Sequence, residues 1–331
     1  MDISDSSVKV VQLKKRRKNI DLVSWGKVKL EAGVVSGGRV KNEKALASAI
    51  RYLMEVVKGK KIKKRYVSIS LPEEKSFFQT INIPQMEGKQ IKEVIGYEAE
   101  NCIPLPVDDV YLDFDELSSN AKGLDVLVAA LPKKVVDSRV SSIEKAGLFP
   151  VVAETESMAI ARSVVKEEDR SKSLLLIDIG ESKTSIIALH SGKVIFSSYI
   201  LTSSGEFTEK IADFCGVSTV EAERLKKEHG IEKEKIREAV GPLLEETVDV
   251  IKKQLHYYEF CGLIPRGIEK IIVCGGGSGL RGLTAFMSDK LYLPIEKGDP
   301  FINVSKRSQN KFDEEGLNYG VAIGLALRNF S

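Results

Sequence analysis

The sequence predicts an α/β fold built twice. Two observations carry this. The segment Asp2-Ile3-Ser4-Asp5-Ser6 recurs as Asp178-Ile179-Gly180-Glu181-Ser182, and each copy runs on into strand-like sequence, Val8-Lys9-Val10-Val11 and Thr184-Ser185-Ile186-Ile187. A third element, Cys274-Gly275-Gly276-Gly277-Ser278, follows the apolar run Ile271-Ile272-Val273. Two alike strand–turn–strand units far apart in sequence imply a duplicated domain with a ligand held between the copies. A chain of 331 residues is long enough for two such lobes.

Composition narrows the class. Hydrophobic residues make up 43% and charged residues 29%, as in an ordinary globular protein. With 50 basic and 47 acidic residues the net charge is only +3, which gives no general case for nucleic acid. Cys102, Cys215, Cys261 and Cys274 show no ligand spacing and read as reduced thiols of a cytoplasmic protein. No apolar run reaches the roughly 18–20 residues of a membrane span. Met1 stands directly before a polar turn, so no signal peptide is expected, and so abrupt a start is expected of a chain trimmed at its N-terminus.

The elements follow in order. Residues 8–35 alternate apolar and polar around Lys14-Lys15-Arg16-Arg17-Lys18, which predicts a hairpin with a basic tip and then a third strand. That tip has two readings, a solvated turn or a weak attraction to anionic lipid. Residues 42–58 place Leu46, Ile50, Leu53, Met54 and Val57 on one helical face. A second basic run, 58–65, leads into the strand Tyr66-Val67-Ser68-Ile69-Ser70. Residues 76–140 read as a small β-α-β-β module: a strand at 77–83, a helix at 91–101 stopped by Pro104 and Pro106, and strands at 111–117 and 124–131. A helix over 133–146 ends at Gly147, a strand follows at 150–153, and Glu154-Thr155-Glu156-Ser157 opens the next helix. The second half starts with the buried-type strand Leu174-Leu175-Leu176-Ile177, continues with helices over 206–228 and 232–260, and closes with an apolar helix at 320–327.

The chemistry lies in the turns. A tight turn between strands aims consecutive backbone N–H groups at one spot and binds phosphate oxygens without lysine. Ser6, Ser7, Ser182 and Thr184 can add hydroxyl donors, and Gly180 permits close approach. Asp2 and Asp178 cannot bind phosphate but can hold waters of Mg²⁺. There is no GxxxxGKS/T, so this is not a P-loop, and the run Gly275-Gly276-Gly277-Ser278 does not itself match the Rossmann GxGxxG. Three successive glycines are either a plain strand–helix corner or a place where backbone must approach something closely. His190, His229 and His256 are scattered and show no partner that would suggest a hydrolase triad or a zinc site.

The motif order resembles the actin, Hsp70 and sugar-kinase superfamily, and most specifically the type IV pilus assembly protein PilM family, related to the division protein FtsA. The resemblance spans essentially the whole chain. It rests on Tyr97-Glu98-Ala99-Glu100-Asn101-Cys102-Ile103-Pro104-Leu105-Pro106 with Asp113-Phe114, on Ala146-Gly147-Leu148, Pro150 and Glu154-Thr155-Glu156-Ser157, and on the closing Gly324-Leu325-Ala326-Leu327-Arg328. It implies an actin-like (ribonuclease H-like) two-lobe fold with an FtsA-type insertion module at 76–140. The first lobe would comprise 1–75, 141–173 and 312–331, and the second 174–311.

The resemblance also implies ATP and Mg²⁺. Asp2, Ser6 and Ser7 would be phosphate-1 positions, Asp178, Gly180, Ser182 and Thr184 phosphate-2 positions, and Gly275, Gly276, Gly277 and Ser278 would face adenosine and ribose. Asp2 and Asp178 are the implied metal positions. Lys252 and Lys253 stand either near the base or on a solvated helix face. Glu156 is either the acid near Mg²⁺ or an attacking water, or a helix cap. Asp5 and Glu181 depart from a glycine-containing phosphate loop, since a carboxylate there repels phosphate unless it turns away or meets a cation.

What the family implies is an ATP-binding scaffold at the inner face of the cytoplasmic membrane, with hydrolysis at most slow. Its expected partner is the cytoplasmic N-terminal tail of a PilN-type membrane protein, docked as an extended peptide between the first lobe and the 76–140 module. Other platform proteins, the assembly ATPase and further copies of itself are also expected partners. Attachment to the membrane would run through PilN, and nucleic acid is not expected. The rival readings are an FtsA-like division protein and a small-molecule kinase of the same superfamily.

Overall fold

The computed structural model describes residues 1–17, 19–86, 89–120, 123–260, 267–309, 312 and 314–330; Lys18 of the basic tip and Cys261 lie outside them. The chain divides into two units. The first comprises Met1–Val10, Ser24–Glu156 and Ile195–Ser197, and the second Val11–Val23, Ser157–Val194 and Ser198–Ser331.

In the first unit, strands begin where β-branched residues alternate with polar ones. Asp2–Ile3 and Ser7–Arg16 pair antiparallel around a tight turn. Asn19–Lys29 comes next in the same sheet, followed by the two-residue strand Lys58–Gly59. The third strand expected after the hairpin shrinks to Val35–Ser36, paired with Arg39–Val40. Gly37 and Gly38 make that turn, both with positive φ. The helix Glu43–Val56 starts at Asn42, whose side chain accepts the Ala45 N–H, and its face of Leu46, Ile50 and Leu53 is buried against Ile3, Val8 and Ile69.

The small module has the β-α-β-β order read from its sequence. Gly123–Pro132 is the central strand, flanked by Phe77–Ile83 and Val110–Asn120. The helix Lys89–Cys102 lays Ile91 and Ile95 on Ile83, Leu124, Val126 and Val128. Its last turn adds Ala99 and Ile103 to Val110 and Ala130. The helix Lys133–Lys145 follows directly, then the strand Phe149–Thr155, parallel to Tyr66–Leu71.

The second unit is built on a five-stranded sheet. Its centre is Ser173–Ile179, antiparallel to Thr184–His190 on one side and parallel to Lys270–Cys274 on the other. All four residues Leu174–Ile177 are buried, as a strand covered on both faces requires. The single helix expected over 206–228 is two helices, Ser204–Cys215 and Thr219–His229. Gly216 takes a left-handed conformation and ends the first, and the Ser218 side chain accepts the Glu221 N–H to start the second. The long helix Glu234–Phe260 follows.

The closing helix Gly320–Leu327 packs on Glu156–Val164 at backbone distance. A Cβ on Gly324 would lie 1.7 Å from the Ala159 carbonyl oxygen, and one on Gly320 2.3 Å from Ile160 Cδ1. Arg162 Nη1 donates to the Gly324 carbonyl at 3.1 Å across the same contact. Because the obstacle at Gly324 is backbone, Gly324→Ala should destabilise the fold by about 3 kcal/mol or more. Gly241→Ala, where an added Cβ meets nothing, should be close to neutral or mildly stabilising. Urea unfolding of the two variants beside the parent measures the difference.

Candidate functional site

The two repeated turns have one geometry. In the first, the Ser4 N–H donates to the Ser7 carbonyl at 2.9 Å; in the second, the Gly180 N–H donates to the Lys183 carbonyl at 2.8 Å. Asp2 lies opposite Lys9 and Ile3 opposite Val8; Asp178 lies opposite Ser185 and Ile179 opposite Thr184. Each pair in one copy maps onto the other with the same offset of 176 residues (178 − 2 and 185 − 9).

The side chains differ. Asp2 is buried, with Oδ2 3.0 Å from Lys9 Nζ and Oδ1 accepting from Ser70 Oγ at 3.1 Å. Burial alone would raise its carboxyl pKa, but Lys9 and Ser70 more than offset this and hold it below its ordinary value. Both oxygens of this expected Mg²⁺ acid are therefore engaged by protein, and Asp2 does not fit a metal. At the Lys9 position the second copy carries Ser185, so Asp178 has no lysine across the ladder and stands half-buried at its strand end.

The serines also divide. Ser7 is buried, its N–H donating to Ser4 Oγ at 3.2 Å and its own Oγ 3.2 Å from Ser4 Oγ. Thr184 is buried and donates to the Thr202 carbonyl at 2.7 Å. Ser6 is half-buried and Ser182 exposed, and neither hydroxyl makes an internal hydrogen bond among the described residues. These equivalent serines are the hydroxyls left open by the two turns. Asp5 lies close enough to the buried Arg139 guanidinium to favour its charge. Its carboxylate accepts the N–H groups of Gly37 at 2.6 Å and Gly38 at 3.0 Å. Glu181 is exposed.

In the second unit the turn and the triple glycine meet. A Cβ on Gly275 would lie 2.2 Å from Asp178 Oδ1, and one on Gly277 2.2 Å from Ile179 Cγ2. One on Gly276 would lie 2.2 Å from Asn318 Oδ1. Gly275 and Gly277 are therefore required by close approach of the Asp178-Ile179 segment, whereas at Gly276 the neighbour is the movable end of the Asn318 side chain. Gly275 additionally has φ +78. Ser278 is buried and donates to the Gly275 carbonyl at 2.7 Å, whereas Gly276 and Gly279 are half-exposed. The helix starting at Ser204 abuts the same turn: Ser204 N–H donates to Gly180 O at 2.9 Å and Gly205 N–H to Glu181 O at 3.1 Å. Cys274 beneath is buried, and burial, with Asp178 nearby, pushes its thiol pKa well up. It is an inert thiol.

A phosphate needs donors on an open rim. In the second unit the exposed Ser182 hydroxyl and the half-exposed backbone at Gly276 and Gly279 lie on such a rim; the Gly180 N–H is engaged by the Lys183 carbonyl, and the hydroxyls of Thr184 and Ser278 point to internal carbonyls. Lys252 is half-buried and Lys253 exposed in the long helix, and no hydrogen bond or ion pair among the described residues brings either to the turns. Among those residues no group of three or more His, Cys, Asp and Glu could hold a metal ion by itself. Asn318 and Gly205 were not among the residues the sequence singled out.

Glu156 stands in the first turn of its helix, and its Oε2 accepts from the Glu73 N–H at 3.4 Å. Arg139 lies nearby, buried, donating to the carbonyls of Ile3 at 2.9 Å, Ser70 at 3.0 Å and Gly38 at 3.1 Å. Burial lowers its pKa, and Glu156 leads the acids that counter this. A cleft of about 480 Å³ opens on the small module, lined by Glu100, Ile103, Pro104, Leu105, Pro106, Val107 and Asp108.

The chain belongs to the family described as Type IV pilus assembly protein PilM, whose profile matches residues 1–330. Its backbone superposes on a solved PilM-PilN type IV pilus biogenesis complex with a TM-score of 0.84 and 29% identity, covering 100% of this chain and 97% of that one. MreB5 of Spiroplasma citri, solved with ADP, shares the fold at a TM-score of 0.52 and 14% identity, over 93% of this chain and 97% of that one. The cell division protein FtsA of Pseudomonas aeruginosa is 22% identical over 171 residues, 44% of this chain and 40% of FtsA. The match thus spans less than half of FtsA's length. The fold is actin-like, as the sequence implied.

The Asp2–Lys9 pair gives a test with a defined pH window. Asp2→Asn leaves Lys9 buried without its counter-charge and should cost about 3–5 kcal/mol at neutral pH. The folded-state pKa of Asp2 lies below its ordinary 3.8, so its stabilisation is present above pH about 4 and is lost as pH falls through the lower folded value. The gap between parent and variant should therefore be full at neutral pH and close in strong acid. Denaturant melts at several pH values follow it.

Proposed function

We propose that this chain is an ATP-binding actin-like scaffold of a type IV pilus platform that holds the N-terminal cytoplasmic tail of a PilN-type membrane protein. The observation that carries this reading is the full-length likeness to PilM in the solved PilM-PilN complex. On this reading the protein works in the cytoplasm at the inner membrane face, and its partner supplies the anchor. No helix among the described residues is long and apolar enough to cross a membrane.

The nucleotide's phosphates would meet the backbone and Ser182 of the 180–183 turn, with the open edge at Gly276 and Gly279 beside them. Asp178, half-buried at the end of its strand beside the turn, would hold the waters of Mg²⁺. That ion would supply charge neutralisation of the phosphates. No general base stands out among these residues, which suits a protein that binds ATP and hydrolyses it slowly if at all. The tail would lie extended on the small module, with backbone bonds giving affinity and the cleft at 100–108 giving specificity.

Two measurements test the reading. Saturating MgATP should raise the melting temperature, because a ligand that binds only the folded state stabilises it by mass action. Gly276→Asp should remove that rise while the apo melt changes little, since the clash is with the movable end of Asn318. An unshifted melt at millimolar MgATP would count against a nucleotide site. For the tail, deleting 76–140 is a poor test because it also removes Arg139. Glu100→Lys on the cleft's exposed rim should instead weaken a synthetic PilN-type tail about tenfold, or about 1.4 kcal/mol. Equal affinity in calorimetry for Glu100→Lys and Leu105→Asp would move the dock elsewhere.

A further inference from the structure

Between Val56 and Pro72 the chain holds no acidic residue, and positions 58–65 carry five lysines and one arginine. Lys58, Lys60, Lys61, Lys63, Lys64 and Arg65 are all exposed, and none forms an ion pair among the described residues. The run is nevertheless fastened. Lys58 lies opposite Trp25 in the ladder, the Ser24 hydroxyl donates to the Lys60 carbonyl, and Ile62 alone turns inward against the core. A fixed backbone with one inward anchor splays the charges toward solvent.

Beside this run stands an apolar edge. Tyr66 follows Arg65, is 71% exposed, and lies in register with Phe149, 51% exposed, their ring centroids 6.0 Å apart. The Phe149 N–H donates to the Arg65 carbonyl at 2.8 Å, which ties the aromatic pair to the end of the basic run. Val151, 59% exposed, continues the edge. Exposed large apolar residues scattered singly need no explanation, but three on one strand pair next to six unpaired cations do.

We infer that this face binds an anionic lipid surface directly, with the lysines at the headgroups and Tyr66 and Phe149 at the interface. Three features select lipid. Lysine is a hydrated point charge suited to mobile headgroups, whereas fixed carboxylates or phosphates favour arginine's planar fork, and here lysine outnumbers arginine five to one. Aromatic rings with an apolar body settle at the membrane–water boundary. A second copy docking through the same patch would bring like charges face to face, and Pro150 removes a donor from the strand edge it would pair with. The contact stands independently of ATP binding and adds a direct membrane attachment to the one supplied by a PilN-type tail.

Co-sedimentation of the full chain with vesicles tests it. The protein should bind vesicles of equal parts phosphatidylcholine and phosphatidylglycerol, not phosphatidylcholine alone, and salt should weaken binding. Each lysine near an anionic surface contributes about fivefold, so K60Q/K61Q/K63Q/K64Q should lose about 600-fold, nearly three orders of magnitude. Y66S/F149S should weaken binding at unchanged charge. All these residues are exposed, and an unchanged melt will show that both variants fold. No binding by the parent overturns the proposal, as does equal binding by the lysine variant. Loss only when Lys14, Lys15, Arg16 and Arg17 are replaced overturns it too. If polyglutamate competes as well as the vesicles do and Y66S/F149S binds like the parent, the face serves an acidic protein and the lipid assignment falls.

Discussion

A backbone hydrogen bond that closes four residues between two strands is the constraint from which both halves are built. Ser4 N–H to Ser7 O and Gly180 N–H to Lys183 O fix the same turn, and with it the register of the strands on either side. Once the register is fixed, alternate side chains must face the core, and a one-residue slip would turn Ile3 and Val8, or Ile179 and Ile186, out to solvent. The acid at the end of each first strand is placed by this geometry before any ligand is considered.

What the two halves do with that acid separates them. Opposite Asp2 the chain puts Lys9, and the pair is buried with Ser70 completing it. Opposite Asp178 it puts Ser185, and the space is closed by glycine backbone at 275–277. One copy has become a sealed structural pair and the other keeps a half-open carboxylate beside an accessible rim. Burying an ion pair confers little net stability over an apolar substitute, but breaking it is costly. The first turn is thus held in one conformation by a buried ion pair that the second turn does not repeat across its ladder.

The parts legible in the sequence were those set by local pattern. The module's strand at 77–83 and the closing helix at 320–327 lie where alternation and small apolar residues put them. The break inside 206–228 was written as Gly216-Val217-Ser218, a helix stop followed by a cap, but the charged periodicity running through it masked the signal. The triple glycine was read as facing a nucleotide, and sequence could not say that Asp178, Ile179 and Asn318 of the chain itself also crowd against it. Arg139 was invisible for the same reason. On a helix with lysines around it, it reads as another surface cation, and only the fold brings it to carbonyls 136, 69 and 101 residues away. Long-range partners decide whether a charge is solvated or buried, and spacing along the chain carries no record of them.

Arg139 also joins parts that lie far apart in sequence. The helix that carries it begins where the central strand of the small module ends, at Pro132 and Lys133. Leu131 and Val136 on either side of that junction pack with Leu71. From there the guanidinium holds Ile3 beside the first turn and Gly38 beside the carboxylate of Asp5, and Asp5 in turn holds the Gly37 and Gly38 N–H groups. A guanidinium buried this deeply cannot shed its proton or its bonds cheaply, so the helix that leaves the module is tied to the first turn and to the glycine turn. A peptide seated on the module would therefore press on a segment whose next helix is already fastened to the first turn.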